Sequence, residues 1–94
     1  MKVIQSPSFA RVVKKFRKDE KEELDRQIEE IIKNINIGQE KKGDLKGVFV
    51  CKFKIKNVQY LLAYRKKTDI IELVMIGPHE NYYRDLKTYV KNRL

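Results

Sequence analysis

The sequence predicts an α+β domain. An antiparallel twisted sheet, made of an N-terminal strand plus a three-stranded meander, packs on an N-terminal helical hairpin, and a C-terminal helix follows. Three observations predict this. Apolar residues recur with a period near 3.6 in the first third of the chain and with a period of 2 from residue 49 onward. The later apolar runs are joined by turns too tight for parallel neighbours. The 94 residues suffice for one small core and not for two, so 1–94 is read as a single domain.

Taken in order, Met1 to Gln5 is a short segment with Val3 and Ile4 apolar, read as a strand that joins the sheet. Ser6-Pro7 is a helix start, with Ser as cap and Pro at the first helical position. Phe9, Val12, Val13 and Phe16 follow at helical spacing, and Arg11, Lys14, Lys15, Arg17 and Lys18 make one flank basic. Asp19 with Glu22 resembles a capping box for a second helix. Its apolar stripe is Leu24, Ile28, Ile31, Ile32 and Ile35, and Gly38 ends it. Neither helix can bury its stripe alone, so the sheet must cover them. GQEKKGDLKG (38–47) is a polar loop. In VFVCKFKIK, Phe49, Cys51, Phe53 and Ile55 point one way and Val50, Lys52, Lys54 and Lys56 the other. VQYLLAYR (58–65) and IIELVMI (70–76) complete the meander, with KNV and KKTD as turns. Gly77-Pro78 breaks the last strand. Pro78 is expected to open the final helix, with Glu80 in its first turn. The sheet face away from the hairpin is expected to be partly open and to carry the lysines.

Charge narrows the function. Twenty-two Lys and Arg against thirteen Asp and Glu give a net charge of +9. So basic a small domain implies a polyanionic partner: nucleic acid, an acidic protein or a membrane surface. The plain alternative is that excess lysine serves solubility. The apolar stripes are needed for the core, and no apolar run approaches the roughly 20 residues that cross a bilayer, so no membrane partner is expected. Cys51 is alone, which excludes an internal disulfide and fits a reducing cytoplasm. No signal peptide is read at the start. One Cys and one His make no recognisable metal-ligand set, and no cofactor motif is present.

The densest polar chemistry lies in IGPHENYYRDLK (76–87), which holds the only histidine, His79, with Tyr82, Tyr83 and Arg84. A histidine ordinarily titrates near pH 6.5 and so can give or take a proton near neutrality. Tyrosines three and four residues on can stack on a base or position a phosphate. The residues alone equally allow a solvated helix-start histidine and tyrosines in the core. Lys52 and Lys54 share a strand face at roughly 7 Å spacing, which suits a phosphate track, and Lys46 and Lys56 extend it if the strand stays regular. The alternative is a solvated face. Arg65 ends the second strand; it is either a bidentate phosphate ligand or a partner of Asp69. Arg84 either pairs with Glu80 or contacts phosphate. Glu72 is an edge residue or a partner for a nearby Lys, and Cys51 belongs to the core.

The element order, the strand-end G-x-H followed by an aromatic (Gly77, His79, Tyr83), and LKGVFVCKFKI…YLLAYR together resemble the RelE/ParE superfamily of toxins from bacterial type II toxin–antitoxin systems. The resemblance spans essentially the whole chain. It implies a cytoplasmic toxin neutralised by an acidic antitoxin protein. One branch consists of endoribonucleases that cleave mRNA on the ribosome without metal. The other, the ParE branch, inhibits DNA gyrase by binding. The resemblance further implies His79 as the proton-transfer residue, Tyr83 as the aromatic beside it, Arg65 as the active-site arginine and Lys54 as a catalytic basic residue. Lys52, Lys46, Lys56, Tyr82 and Arg84 are then the RNA-binding set. It requires these groups to converge on one concavity. A basic RNA-binding domain without catalysis is the third reading.

Overall fold

In the computed structural model, which describes residues 2–78 and 80–92, five strands form one sheet in the order β1-β5-β4-β3-β2. The strands are β1 (Lys2–Gln5), β2 (Gln39–Glu40), β3 (Phe49–Ile55), β4 (Val58–Lys67) and β5 (Ile70–Pro78). The helices are α1 (Pro7–Val13), α2 (Lys18–Lys33) and α3 (Tyr82–Asn92). The meander β3-β4-β5 is antiparallel, as its alternation requires. The N-terminal strand departs from the expected antiparallel arrangement: β1 lies parallel to β5, with Val3 opposite Ile71. The two helices between them supply the long crossover that a parallel pair needs. The polar loop also contributes the two-residue β2, too short to leave a period in the sequence.

Ser6 starts α1 as its sequence predicts, and its hydroxyl has two tasks. The oxygen accepts from Phe9 N at 3.0 Å, and the O–H donates to Val74 O at 2.6 Å, which ties the helix start to β5. The expected Asp19–Glu22 cap is shifted: Arg17 occupies the cap position, and its N–H donates to Glu20 Oε1 at 2.7 Å. Of the expected α2 stripe, Leu24 and Ile31 are fully buried, whereas Ile32 remains 42% exposed. These helices cover one sheet face, where Phe9, Leu24, Ile31, Cys51, Leu62 and Tyr64 form the core.

The second face is more enclosed than expected. Helix α3 and the turn at Gly43–Leu45 cover it, burying Leu61, Ala63, Val74, Leu86 and Val90 together. Only its β3 margin stays open. Pro78 does not open α3. It is the last residue of β5, opposite Tyr60, and α3 begins at Tyr82 after Asn81, whose φ of 59° is a left-handed value that asparagine tolerates. Asn81 O accepts from Asp85 N, and Asp85 takes the first-turn acidic place expected of Glu80.

Tyr64 pins the polar loop to the sheet. Its O–H donates to Ile35 O at 2.7 Å, and its oxygen accepts from Gly38 N at 2.9 Å. Gly38 permits this approach, since a Cβ there would sit 2.6 Å from the phenol oxygen. Tyr64→Phe leaves a buried carbonyl and amide without their partner, so urea unfolding is expected to show a loss of about 1–3 kcal/mol. Burial also pushes the phenols of Tyr64 and Tyr82 above their ordinary value of 10. The folded chain thus favours the protonated forms; that stabilisation is complete below pH 10 and is lost as pH rises through the raised folded values. The urea midpoint is therefore expected to fall above pH 10, and to fall less steeply in Tyr82→Phe.

Candidate nucleic-acid interface

The register of the meander decides which polar side chains can meet. Lys52 lies opposite Leu61, and Leu61 lies opposite Gly77. One row across β3, β4 and β5 therefore places Lys52 roughly 10 Å, two strand spacings, from Gly77. Lys54 lies opposite Gln59 at the same end of the sheet. Both lysines are exposed, and among the described residues neither joins an ion pair. They share the α3-side face with Val50, which is buried beneath the loop.

Helix α3 brings Tyr83 to this face. Its ring packs against the cluster that holds Val50 and Leu61, and it stays partly exposed. Lys41 of the polar loop places its Nζ 5.0 Å from the centre of the Tyr83 ring, a cation–π contact. Sequence reasoning missed Lys41 because loop residues carry no periodicity, and nothing local announces the tyrosine 42 positions away. Lys46 is exposed beside Lys41 and Lys42 on a concavity of about 250 Å³. The lysines of the loop and of β3 thus share the open margin of the sheet with one aromatic ring.

Other expected members lie elsewhere. Tyr82 is only 3% exposed and its O–H donates to Met75 O at 2.7 Å, so its ring is core and does not face a base. Lys56 does not extend the lysine row. The strand ends at Ile55, Lys56 turns with φ 57°, and its Nζ pairs with Asp19 at 2.8 Å. That ammonium holds the Asp19 carboxyl below its usual range. Arg84 is exposed and lies 3.7 Å from Asp85, not against Glu80, which precedes the helix. Arg65 is within β4, not at its end, and lies opposite Glu72. Its guanidinium pairs with that carboxylate at 3.1 Å, with side-chain exposures of 25% and 13%. Four residues separate it from Leu61, roughly 13 Å along the strand, so Arg65 does not reach the Lys52 row. His79 lies outside the described residues. Cys51 is core as expected; burial raises its thiol, and Gln27 Nε2 donates to its sulfur at 3.5 Å.

Among the described residues no group of three His, Cys, Asp or Glu side chains could hold a metal ion, and no helix is long and apolar enough to cross a membrane. Residues 3–87 match the family described as ParE-like toxin of type II bacterial toxin–antitoxin system. The chain belongs to this family. It is a ParE-like toxin, and toxins of type II modules pair with a protein antitoxin. No curated protein matches the chain. In this toxin the partly exposed tyrosine and the lysines gather where the α3-side face is left uncovered, and the Arg65–Glu72 pair fastens the opposite end.

That division has a measurable consequence. Glu72→Gln leaves the partly buried Arg65 without its counter-charge and is expected to destabilise the fold by about 1–2 kcal/mol. Lys52→Ala and Lys54→Ala, as exposed unpaired sites, are expected to stay within about 0.5 kcal/mol of the parent. Paired urea titrations check both.

Proposed function

We propose that this ParE-like toxin is a metal-independent mRNA endoribonuclease that acts on ribosome-bound mRNA and so stops translation in the cytoplasm. The observation that carries the reading is the row joining Lys52, Leu61 and Gly77, which puts an unpaired cationic pair at the sheet end where the chain runs into Gly77-Pro78-His79. A phosphodiester seated over Lys52 and Lys54 has its charge neutralised as the 2′-oxygen adds to phosphorus. The P–O5′ bond then breaks, leaving a 2′,3′-cyclic phosphate and a 5′-hydroxyl. His79 is the group assigned to proton transfer between the 2′-hydroxyl and the departing 5′-oxygen. Tyr83, held by the Lys41 ammonium, offers a ring face to an unstacked base. Lys46 lengthens the cationic track towards the polar loop. Arg65, fastened to Glu72, contributes to the field of the sheet and not to the scissile phosphate. Neutralisation is assigned to an acidic antitoxin.

His79→Ala is expected to slow cleavage about 10²–10⁴-fold while the urea midpoint stays unchanged. The check is to induce each variant and map mRNA 5′ ends. The ParE-type gyrase reading rests on the family description and needs no proton-transfer group. It predicts gyrase-dependent DNA breaks with mRNA intact, from parent and His79→Ala alike.

A further inference from the structure

Strand β3 offers an unfilled place in the sheet. Its partner β2 covers only Phe49 and Val50, and among the described residues no strand pairs with Cys51 to Ile55 on that side. The direction of the free backbone groups follows from two independent observations. Lys41 N donates to Val48 O at 2.9 Å, and these residues continue the β2–β3 register, so Val48 and every second residue after it face the β2 side. At the other end Ile55 lies opposite Val58 across a two-residue turn, which directs Ile55, Phe53 and Cys51 into β4. Both place the N–H and C=O of Lys52 and Lys54 on the open edge. No hydrogen bond to those outward groups exists among the described residues.

Charge determines what can fill the edge. A strand added in the line of β2 presents alternate side chains to the two faces of the sheet. Residues opposite Lys52 and Lys54 meet two unpaired ammonium groups. The residues between them enter a groove of about 470 Å³ on the other face, where Phe53 sits below Glu23, Gln27 and Glu30 of α2. A second copy of this chain, pairing β3 with β3, would set lysine against lysine in a protein of net charge +9, and like charges directly opposite are destabilising. The edge lysines thus disfavour self-pairing and select an acidic strand.

We propose that the Cys51–Ile55 edge of β3 is the docking site for an extended acidic segment of the partner antitoxin. The segment adds antiparallel to β3, its carboxylates cover Lys52 and Lys54, and its intervening apolar side chains enter the groove beside Phe53. Where the nuclease reading above holds, the same contact withdraws both lysines from RNA and silences the toxin. The docking itself does not depend on that reading.

The test uses the full-length toxin, labelled with ¹⁵N, and two synthetic nonapeptides that alternate valine with glutamate or valine with lysine. The glutamate peptide is expected to slow amide exchange at Lys52 and Lys54 at least about tenfold, as edge amides enter a ladder. The amide of Phe53, already paired with β4, should change little, and the lysine peptide should protect neither edge amide. The double variant K52E/K54E, with its urea midpoint verified, should reverse the preference between the peptides. Equal protection by both peptides, protection at Lys2–Gln5 instead, no protection at millimolar peptide, or an unreversed preference would each overturn the proposal. No RNA cleavage is read, so failure here is distinct from failure of the nuclease reading.

Discussion

The register between β3 and β4 is the constraint on which the rest of the molecule depends. It is set at one end by the two-residue turn at Lys56 and Asn57, where Lys56 takes a positive φ, and along its length by alternation. A slip by one residue would turn Lys52 and Lys54 into the α2-side core and bring Phe49, Cys51 and Phe53 to the surface. Burial of a large apolar side chain is worth about 1.5–3 kcal/mol, so several such exchanges would exceed the whole stability of a domain this size. The lysines are held on the open margin by the apolar residues between them, not by contacts of their own.

With that register set, the two faces take different work. The hairpin face is a core whose solvent side is acidic: α2 carries seven of the thirteen acidic residues against four basic ones. The opposite face is sealed by α3 except along β3, where Lys52, Lys54, Lys41 and Tyr83 come together. An anionic partner is therefore drawn to one margin of the molecule and repelled from the solvent side of α2. Tyr64 and Ser6 serve this division indirectly, since they lock the polar loop and α1 to the strands that carry the polar face.

Much of this was legible in the sequence. The meander, the hairpin and the Ser6 cap are local patterns, and each formed where its period or cap residue stood. What was not legible depends on long-range pairing. Nothing in Lys2–Gln5 records whether it runs parallel or antiparallel to β5, and β2 is too short to have a period. Pro78 suits a helix start and a strand end alike; its pairing with Tyr60 decides for the strand. At the candidate site, Lys52 and Lys54 lie on the open face that their alternation indicates. Arg65 was assigned by likeness of a two-residue motif, whereas its register with Glu72 places it about 13 Å from the lysine row. Tyr82 and Tyr83 are adjacent in sequence, and a turn of 100° between them sends one to the core and one to the margin. His79 lies outside the described residues, and its assignment rests on its place in the sequence and on the family resemblance.

The central claim is that the β3 margin, and not the Arg65 end of the sheet, receives the RNA. Lysine footprinting tests it directly: an amine-reactive methylating reagent is applied to the toxin alone and on ribosomes loaded with mRNA, and modification is read by mass spectrometry. Lys52 and Lys54 should lose reactivity on the loaded ribosome, while the exposed Lys66 and Lys67 at the opposite end of β4 keep theirs. Protection of Lys66 and Lys67 with Lys52 and Lys54 still reactive would contradict the account.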